Sequence, residues 1–219
     1  MKKKILELGL AALLVLSPFS SSIKSYAAES KYPLEITAEE EKLGAEAEKE
    51  LSKSFNFLED EKSKALDAKL DKIANEIGIV SERPKINYDV KIVQQKDKEK
   101  EDINAFSLPN GRIYVTEGLA KKINSDSEWA GILGHEISHN EKLHAIIYSK
   151  GIKKANEKGM IASLGLILIF GNKAIPYAIL TSNLLVTAIL NEGYGQKFEL
   201  EADKEAVDFV KESDLIILC

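Results

Sequence analysis

Apolar residues recur along this chain with two different periods, and the switch between them predicts the order of elements. Thr37 and Glu40 form a capping box that opens a charged helix running to about Phe55. A second helix is predicted over roughly 60–77, where Leu66, Leu70, Ile73 and Ile77 make one apolar stripe and Gly78 stands as the C-cap. Beyond Arg83-Pro84 the period falls to two. Ile86, Tyr88, Val90 and Ile92 alternate with polar residues, as in a half-buried strand. The charged run 94–102 reads as a solvated connection or hairpin tip. Residues 105–108 and 112–115 then flank Pro109-Asn110-Gly111, and Asn-Gly between apolar runs predicts a hairpin. A short helix over about 117–123 follows. A second capping box, Ser125 with Glu128, starts a helix predicted to continue to about Ser149, with Trp129, Ile132, Leu133 and Ile137 on its buried side. A last helix covers Phe198 to about Val210. The pattern describes an α+β, mainly helical fold with a small antiparallel sheet, and there is no internal repeat or Pro/Gly/Ser-rich linker to divide it.

Two apolar stretches fall outside this scheme. Lys2, Lys3 and Lys4 precede an apolar core from Leu8 to Leu16, and Ser25 and Ala27 supply the small residues of a cleavage site. Residues 1–27 are therefore expected to be a signal peptide and 28–219 an extracytoplasmic domain, periplasmic or secreted; the alternative is an uncleaved anchor. Residues 159–190 are apolar apart from a break at Gly171-Asn172-Lys173, and the second half carries Pro176, Thr181, Ser182 and Asn183. A buried or interfacial helical hairpin is expected there, with membrane association as the alternative.

Composition narrows the function classes. The 219 residues suffice for one domain with a substantial core. The net charge of -5 arises from interleaved acids and bases, with no basic patch of the kind nucleic acid requires. Cys219 is the sole cysteine, so no internal disulfide forms and stability rests on packing and metal.

The candidate chemistry is concentrated in one place. All 3 histidines lie between positions 135 and 144, and two of them frame His135-Glu136-Ile137-Ser138-His139, an HExxH motif. Histidines four apart share a helical face and can reach one metal ion, while Glu136 between them can take a proton from an attacking water. Catalytic zinc usually has three protein ligands. On a continuous helix His144 lies about 900° beyond His135 and faces away, which leaves it as packing or as a hydrogen-bonding neighbour. The metzincin extension is also absent, because Lys142 and Ala145 stand where glycine and histidine are needed. Glu199 and Asp203, four apart in the last helix, suit one carboxylate on the metal and a second accepting a proton from a ligand histidine. Glu201 is out of phase with both by about 200° and is expected to be exposed.

The segments INAFSLPNGRIYVTEGL (103–119), GILGHEISH (131–139) and FELEAD (198–203), in this order, resemble the gluzincin metallopeptidases related to HtpX, BepA and the CAAX prenyl proteases. The resemblance covers roughly 35–210 and implies a zincin-like peptidase domain holding one Zn2+ per chain. It assigns His135, His139 and Glu199 as ligands, Glu136 as base and acid, and Asp203 as the partner of a ligand histidine. It also implies that the strand of Arg112, Ile113, Tyr114 and Val115 is an edge that pairs with a peptide substrate, and that Tyr194 lies near the site. Two features depart from the family pattern. Gly195-Gln196 replaces a common Ser-Arg pair, and the sequence ends sixteen residues after Asp203, before a customary His-Pro-Ser segment, so a C-terminally truncated domain is expected. The reaction implied is zinc-dependent hydrolysis of peptide bonds in misfolded or envelope proteins. The rival readings are a zinc-stabilised binding or chaperone-like protein without proteolysis, and an integral-membrane peptidase built around 159–190.

Overall fold

The computed structural model describes residues 30–97, 103–157, 185–186, 190 and 194–213. The expected signal peptide, nearly all of the apolar 159–190 stretch and Cys219 lie outside the described residues. Among the described residues, no helix is long and apolar enough to cross a membrane.

Helix α1 (Ala38–Ser54) opens on the predicted capping box: the Glu40 carboxylate accepts the Thr37 amide at 2.8 Å and Thr37 Oγ1 accepts the Glu40 amide at 3.3 Å. Phe55 ends the helix and begins β1 (Phe55–Phe57), a strand too short for a period-two signal. Helix α2 (Glu61–Val80) starts at Asp60, whose carboxylate accepts from the amides of Lys62 and Ser63. It runs past Gly78, which is not the C-cap. A Cβ at position 78 would come within 2.9 Å of the Tyr88 ring, so glycine is needed there for close packing. Ser81 ends the helix instead, donating both its amide and its hydroxyl to the Gly78 carbonyl.

Strands β2 (Asp89–Gln95), β3 (Ala105–Ser107) and β4 (Arg112–Thr116) complete a sheet of order β1-β2-β4-β3. The Asn-Gly hairpin forms as predicted, with Phe106 opposite Tyr114. The sheet is nevertheless mixed rather than antiparallel, because β2 runs parallel to β4 with Val90 opposite Ile113. Strand β2 includes residues 94 and 95 and is not a neighbour of β3, so the two strands are not the arms of a hairpin and the expected hairpin tip does not join them. Arg112, Ile113, Tyr114 and Val115 are thereby interior, paired on both sides, and β3 is the edge.

Strand β1 reaches only the end of β2, where Phe57 faces Val93. The rest of that edge is closed by side chains from α2 spaced one helical turn apart. Asp67 accepts the Ile92 amide at 2.9 Å, Asp71 that of Val90 at 2.6 Å and Asn75 that of Tyr88 at 2.9 Å. A helical repeat of four thus serves amides that recur every second residue, and the exposed edge is removed.

The sheet has apolar packing on both faces. Leu70, Ile73 and Ile77 of α2 meet Val90, Ile92, Ile113 and Val115 of the sheet on one side, together with Trp129, Leu133, Ile137 and Phe209. On the other, Leu43, Ala47 and Leu51 of α1 meet Val93, Phe106 and Tyr114. Alternation along β4 divides Ile113 and Val115 from Tyr114, as a pleated strand requires.

Helix α3 (Glu117–Ala120) leads into α4 (Asp126–Glu141), and α5 (His144–Glu157) and α6 (Gln196–Glu212) are the further helices among the described residues. The single helix predicted from 125 to about 149 is in fact two. Leu143 turns into the left-handed region at φ 59°, the one non-glycine to do so among the described residues. This conformation costs about 1–2 kcal/mol and is held by contacts around the end of α4. Arg83 is fully buried there. Its five N–H groups reach Glu40 Oε1 at 2.6 Å, Glu40 Oε2 at 3.0 Å, and the carbonyls of Pro33 at 2.6 Å, Glu35 at 2.8 Å and Asn140 at 2.8 Å. Glu141 is buried alongside, accepting the Glu82 amide at 2.8 Å and pairing with Lys142 at 2.8 Å.

Replacing Arg83 with Met should lower unfolding stability in urea by about 3–5 kcal/mol, since the Glu40 carboxylate is left buried without its partner. Arg83→Lys should recover little, because an ammonium cannot reproduce the planar five-donor fork.

Candidate metal centre and cleft

The site is assembled from α4, α6 and β3. Helices α4 and α6 meet closely at Gly134, where an added Cβ would lie 3.3 Å from Ala206 Cα. That close approach sets the acidic face of α6 against the histidine face of α4. His135 Nε2 lies 3.3 Å from Glu199 Oε2, His139 Nε2 3.6 Å from the same oxygen, and the two Nε2 atoms are 3.1 Å apart. Ligand atoms of all three residues fall within 4.8 Å of one another, and the group could hold a metal ion.

Proton inventory supports that fit. Asp203 Oδ1 is 2.9 Å from His135 Nδ1, and a carboxylate only accepts, so the proton of a neutral His135 ring is on Nδ1. Its Nε2 is then a bare lone pair facing a second imidazole nitrogen and a carboxylate oxygen. A divalent cation satisfies such a cluster of lone pairs, and two histidines with one carboxylate are a zinc ligand set.

The two carboxylates at the centre are in opposite states. Burial pushes Glu136 up to about 8, partly offset by hydrogen bonds from the hydroxyl and amide of Ser107. Contact with the His139 imidazole, together with a 2.8 Å bond from the Tyr194 amide, draws Glu199 down to about 2. Burial lowers His139 below the ordinary histidine value, so its ring is neutral at pH 7. A cation in the site would draw Glu136 down as well, because its charge favours the carboxylate.

A cavity of about 230 Å3 opens onto these groups, lined by Asn104, Ala105, Phe106, Ser107, His135, Glu136, His139, Leu190, Tyr194 and Glu199. A second, of about 350 Å3, lies beyond His135 and Glu136 and is lined by Ile103, Asn104, Ala105, Leu119, Gly131, Ile132 and Asp203 as well. Both share the β3 edge.

His135, Glu136, His139, Glu199, Asp203 and Tyr194 therefore come together. Arg112, Ile113, Tyr114 and Val115 do not. Arg112 and Tyr114 both bond to Glu48, the tyrosine hydroxyl at 2.7 Å, and none of the four lines either cavity. Among the described strands the edge beside the cavities is β3 and not β4, and which of the two is the edge depends on the crossover, which carries no local sequence signal. Ser107 was missed for the same reason. His144 is not turned away: the break at Leu143 places its Nδ1 at 2.9 Å from His139 Nδ1, and Glu201 Oε2, expected to be exposed, lies 3.5 Å from its Nε2. Gly195 adopts φ 103°, a conformation that disfavours the serine found there in the related pattern.

Over residues 60–217 the sequence matches Peptidase family M48, and the chain belongs to that family. It is 31% identical over 126 residues to the mitochondrial metalloendopeptidase OMA1 of Bos taurus, covering 54% of this chain and 22% of that one. The mitochondrial metalloendopeptidase OMA1 of Arabidopsis thaliana is 35% identical over 101 residues, 46% of this chain and 19% of that one. Metalloprotease YcaL of Escherichia coli (strain K12) is 27% identical over 150 residues, 68% of this chain and 54% of that one. The matched regions thus span about a fifth of the OMA1 proteins and about half of YcaL.

The raised position of Glu136 has a measurable consequence in the metal-free protein. An unfolded glutamate titrates near 4.5 and the folded one near 8, so the stability from the neutral carboxyl is present below pH 4.5 and lost as pH rises through 8. Glu136→Gln should therefore raise the melting temperature of the chelator-treated protein at pH 8.5 and leave it nearly unchanged at pH 4.5. A shift of equal size at both pH values would contradict this.

Proposed function

We propose that this chain is a zinc-dependent endopeptidase that hydrolyses extended, unfolded segments of proteins outside the cytoplasm. The observation that carries the reading is the convergence of His135, His139 and Glu199 beside the buried Glu136, at the edge of β3 that no other described strand pairs. A bound zinc ion supplies Lewis acidity, polarising a carbonyl and lowering the pKa of water towards about 7. Glu136, in its ionised form, takes the proton of the attacking water and returns it to the leaving amine. Asp203 holds His135 by its Nδ1 proton, and the Tyr194 amide orients Glu199.

The edge geometry supports a peptide substrate. Asn104 accepts from Thr116 and Leu108 donates to Arg112, so in the alternating pattern Phe106 faces its partner strand. Ala105 and Ser107 then present their backbone groups to the open side, where an extended segment can add as a further strand. Backbone pairing of this kind recognises exposed chain rather than sequence, which suits misfolded or envelope proteins. The leader-like pattern of residues 1–27 supports an extracytoplasmic location. Selectivity is assigned to the larger cavity, where Ile103, Ala105, Leu119 and Ile132 favour an apolar side chain next to the scissile bond.

Purified protein should cleave an unstructured protein such as reduced casein, lose that cleavage on zinc chelation and regain it on zinc addition. Glu136→Gln should keep stoichiometric zinc while cleavage falls by at least ~10²-fold, whereas His135→Ala should lose both. Cleavage at the wild-type rate by either variant would defeat the reading.

A Cβ at Gly131 would meet nothing within 4 Å, and Gly131 lines the larger cavity, so a side chain added there would take up part of that space. Gly131→Leu should shift cleavage sites mapped by mass spectrometry away from large apolar residues towards small ones. It should also stabilise the fold by up to about 1 kcal/mol, since glycine is a poor residue inside a helix.

A further inference from the structure

Asp203 fixes the proton position of His135, whereas the Nδ1 of His139 faces no carboxylate among the described residues. With its proton on Nε2, the ring would donate across 3.1 Å to the bare Nε2 of His135 and close the site to a cation. With its proton on Nδ1, the ring presents a lone pair to the metal. The choice falls to the group behind it. That group is His144, whose Nδ1 lies 2.9 Å from His139 Nδ1 with the two rings edge to face at 73°.

Only one of two facing Nδ1 atoms can carry the proton of the bond between them. If His144 donated, His139 would be protonated on Nε2, and the Nε2 of His144 would be a bare lone pair. Glu201 Oε2 is 3.5 Å from that nitrogen, and among the described residues no hydrogen-bond partner reaches it. A carboxylate facing a bare lone pair is repulsive, whereas facing an N–H it is attractive. The acid therefore favours the arrangement in which His144 carries its proton on Nε2 and accepts at Nδ1. His144 is 1% exposed and packs on Phe198 at a ring separation of 4.5 Å, so its ring is held in place from the side.

We propose that His144, oriented by Glu201, is a positioning residue that keeps the His139 proton on Nδ1 and so leaves Nε2 free for the metal. The inference rests on the metal-site reading of His135, His139 and Glu199. It gives each histidine ligand its own backing from outside the metal: Asp203 directly for His135, and a two-residue relay for His139. The arrangement depends on the helix break, since a continuous α4 would carry His144 to the opposite face.

Two measurements on the full chain test this without relying on turnover. Long-range proton–nitrogen NMR of the metal-free protein at neutral pH should find His139 protonated on Nδ1 and His144 on Nε2. Zinc affinity, read by competition with a chromophoric chelator, should fall about 10- to 100-fold in His144→Phe. His144→Asn, whose carbonyl oxygen can replace Nδ1 as acceptor, should regain most of it. Glu201→Leu, altering a partly exposed side chain, should shift the tautomer ratio of both rings and weaken zinc in the same direction, which keeps the test open should His144→Phe fail to fold. The proposal is overturned by a wild-type His139 protonated on Nε2, or by folded His144→Phe or Glu201→Leu with zinc affinity within twofold of wild type. A wild-type chain with the stated tautomers but no zinc binding would instead overturn the metal-site reading.

Discussion

The arrangement of this molecule depends on one buried cation. Arg83 lies between α2 and β2, yet all of its donors are spent elsewhere: on the segment before α1, on Glu40 in the first turn of α1 and on the last turn of α4. Glu40 closes the capping box of α1 as well as the ion pair, so the start of one helix and the end of another share a single carboxylate. Burying such a pair is costly in itself and adds little net stability over an apolar replacement. What it provides is position. It satisfies the Asn140 carbonyl at the end of α4, where the chain must leave the helix if His144 is to turn back towards His139. With Glu141 and Lys142 held alongside, the left-handed Leu143 becomes a stable corner.

Around the candidate metal centre, the same environment sorts two glutamates into two roles. Glu136 lies deep in the cleft and resists ionisation without a nearby positive charge, whereas Glu199 is ionised and ready to ligate. Two carboxylates with values pushed apart by their surroundings are the usual mark of an acid–base pairing with an electrostatic partner. The cost is an apo site of facing lone pairs and a buried acid, an arrangement that favours the metal-loaded state because only that state relieves both. Stability and metal affinity are therefore coupled through the same few atoms.

Much of this could be read from the sequence, and the failures have a common physical origin. Caps, periodic stripes and the Asn-Gly turn act over a few residues, and the helices at 38–54, 61–80 and 196–212 and the β3–β4 hairpin appear close to where those signals put them. The HExxH and ExxxD spacings are also local, and their side chains meet. The misjudged features all involve distant partners. The parallel pairing of β2 with β4 follows from a crossover; the end of α4 at Lys142 is stabilised by residues some sixty positions earlier; Gly78 answers to Tyr88. His144 stands outside the group of candidate ligands and is a hydrogen-bonding neighbour of His139, as expected, but the helical phase used to place it was applied to a helix that had already ended.

The edge strand joins these observations into one functional argument. Had β2, β3 and β4 followed one another as an antiparallel meander, β3 would be central and β4 would be the edge. The crossover exchanges them and brings Ser107 beside Glu136, to which its amide donates instead of to a strand. The amide that Glu136 uses is also one that an added substrate strand would seek. Strand addition would then release Glu136 from a hydrogen-bond donor that favours its ionised form while also excluding water from the cleft, two changes that both raise its proton affinity. Under the proposed reading a bound cation would have to hold Glu136 ionised against both changes, so the topology of the sheet would couple the addition of an extended chain to the protonation of the proposed base.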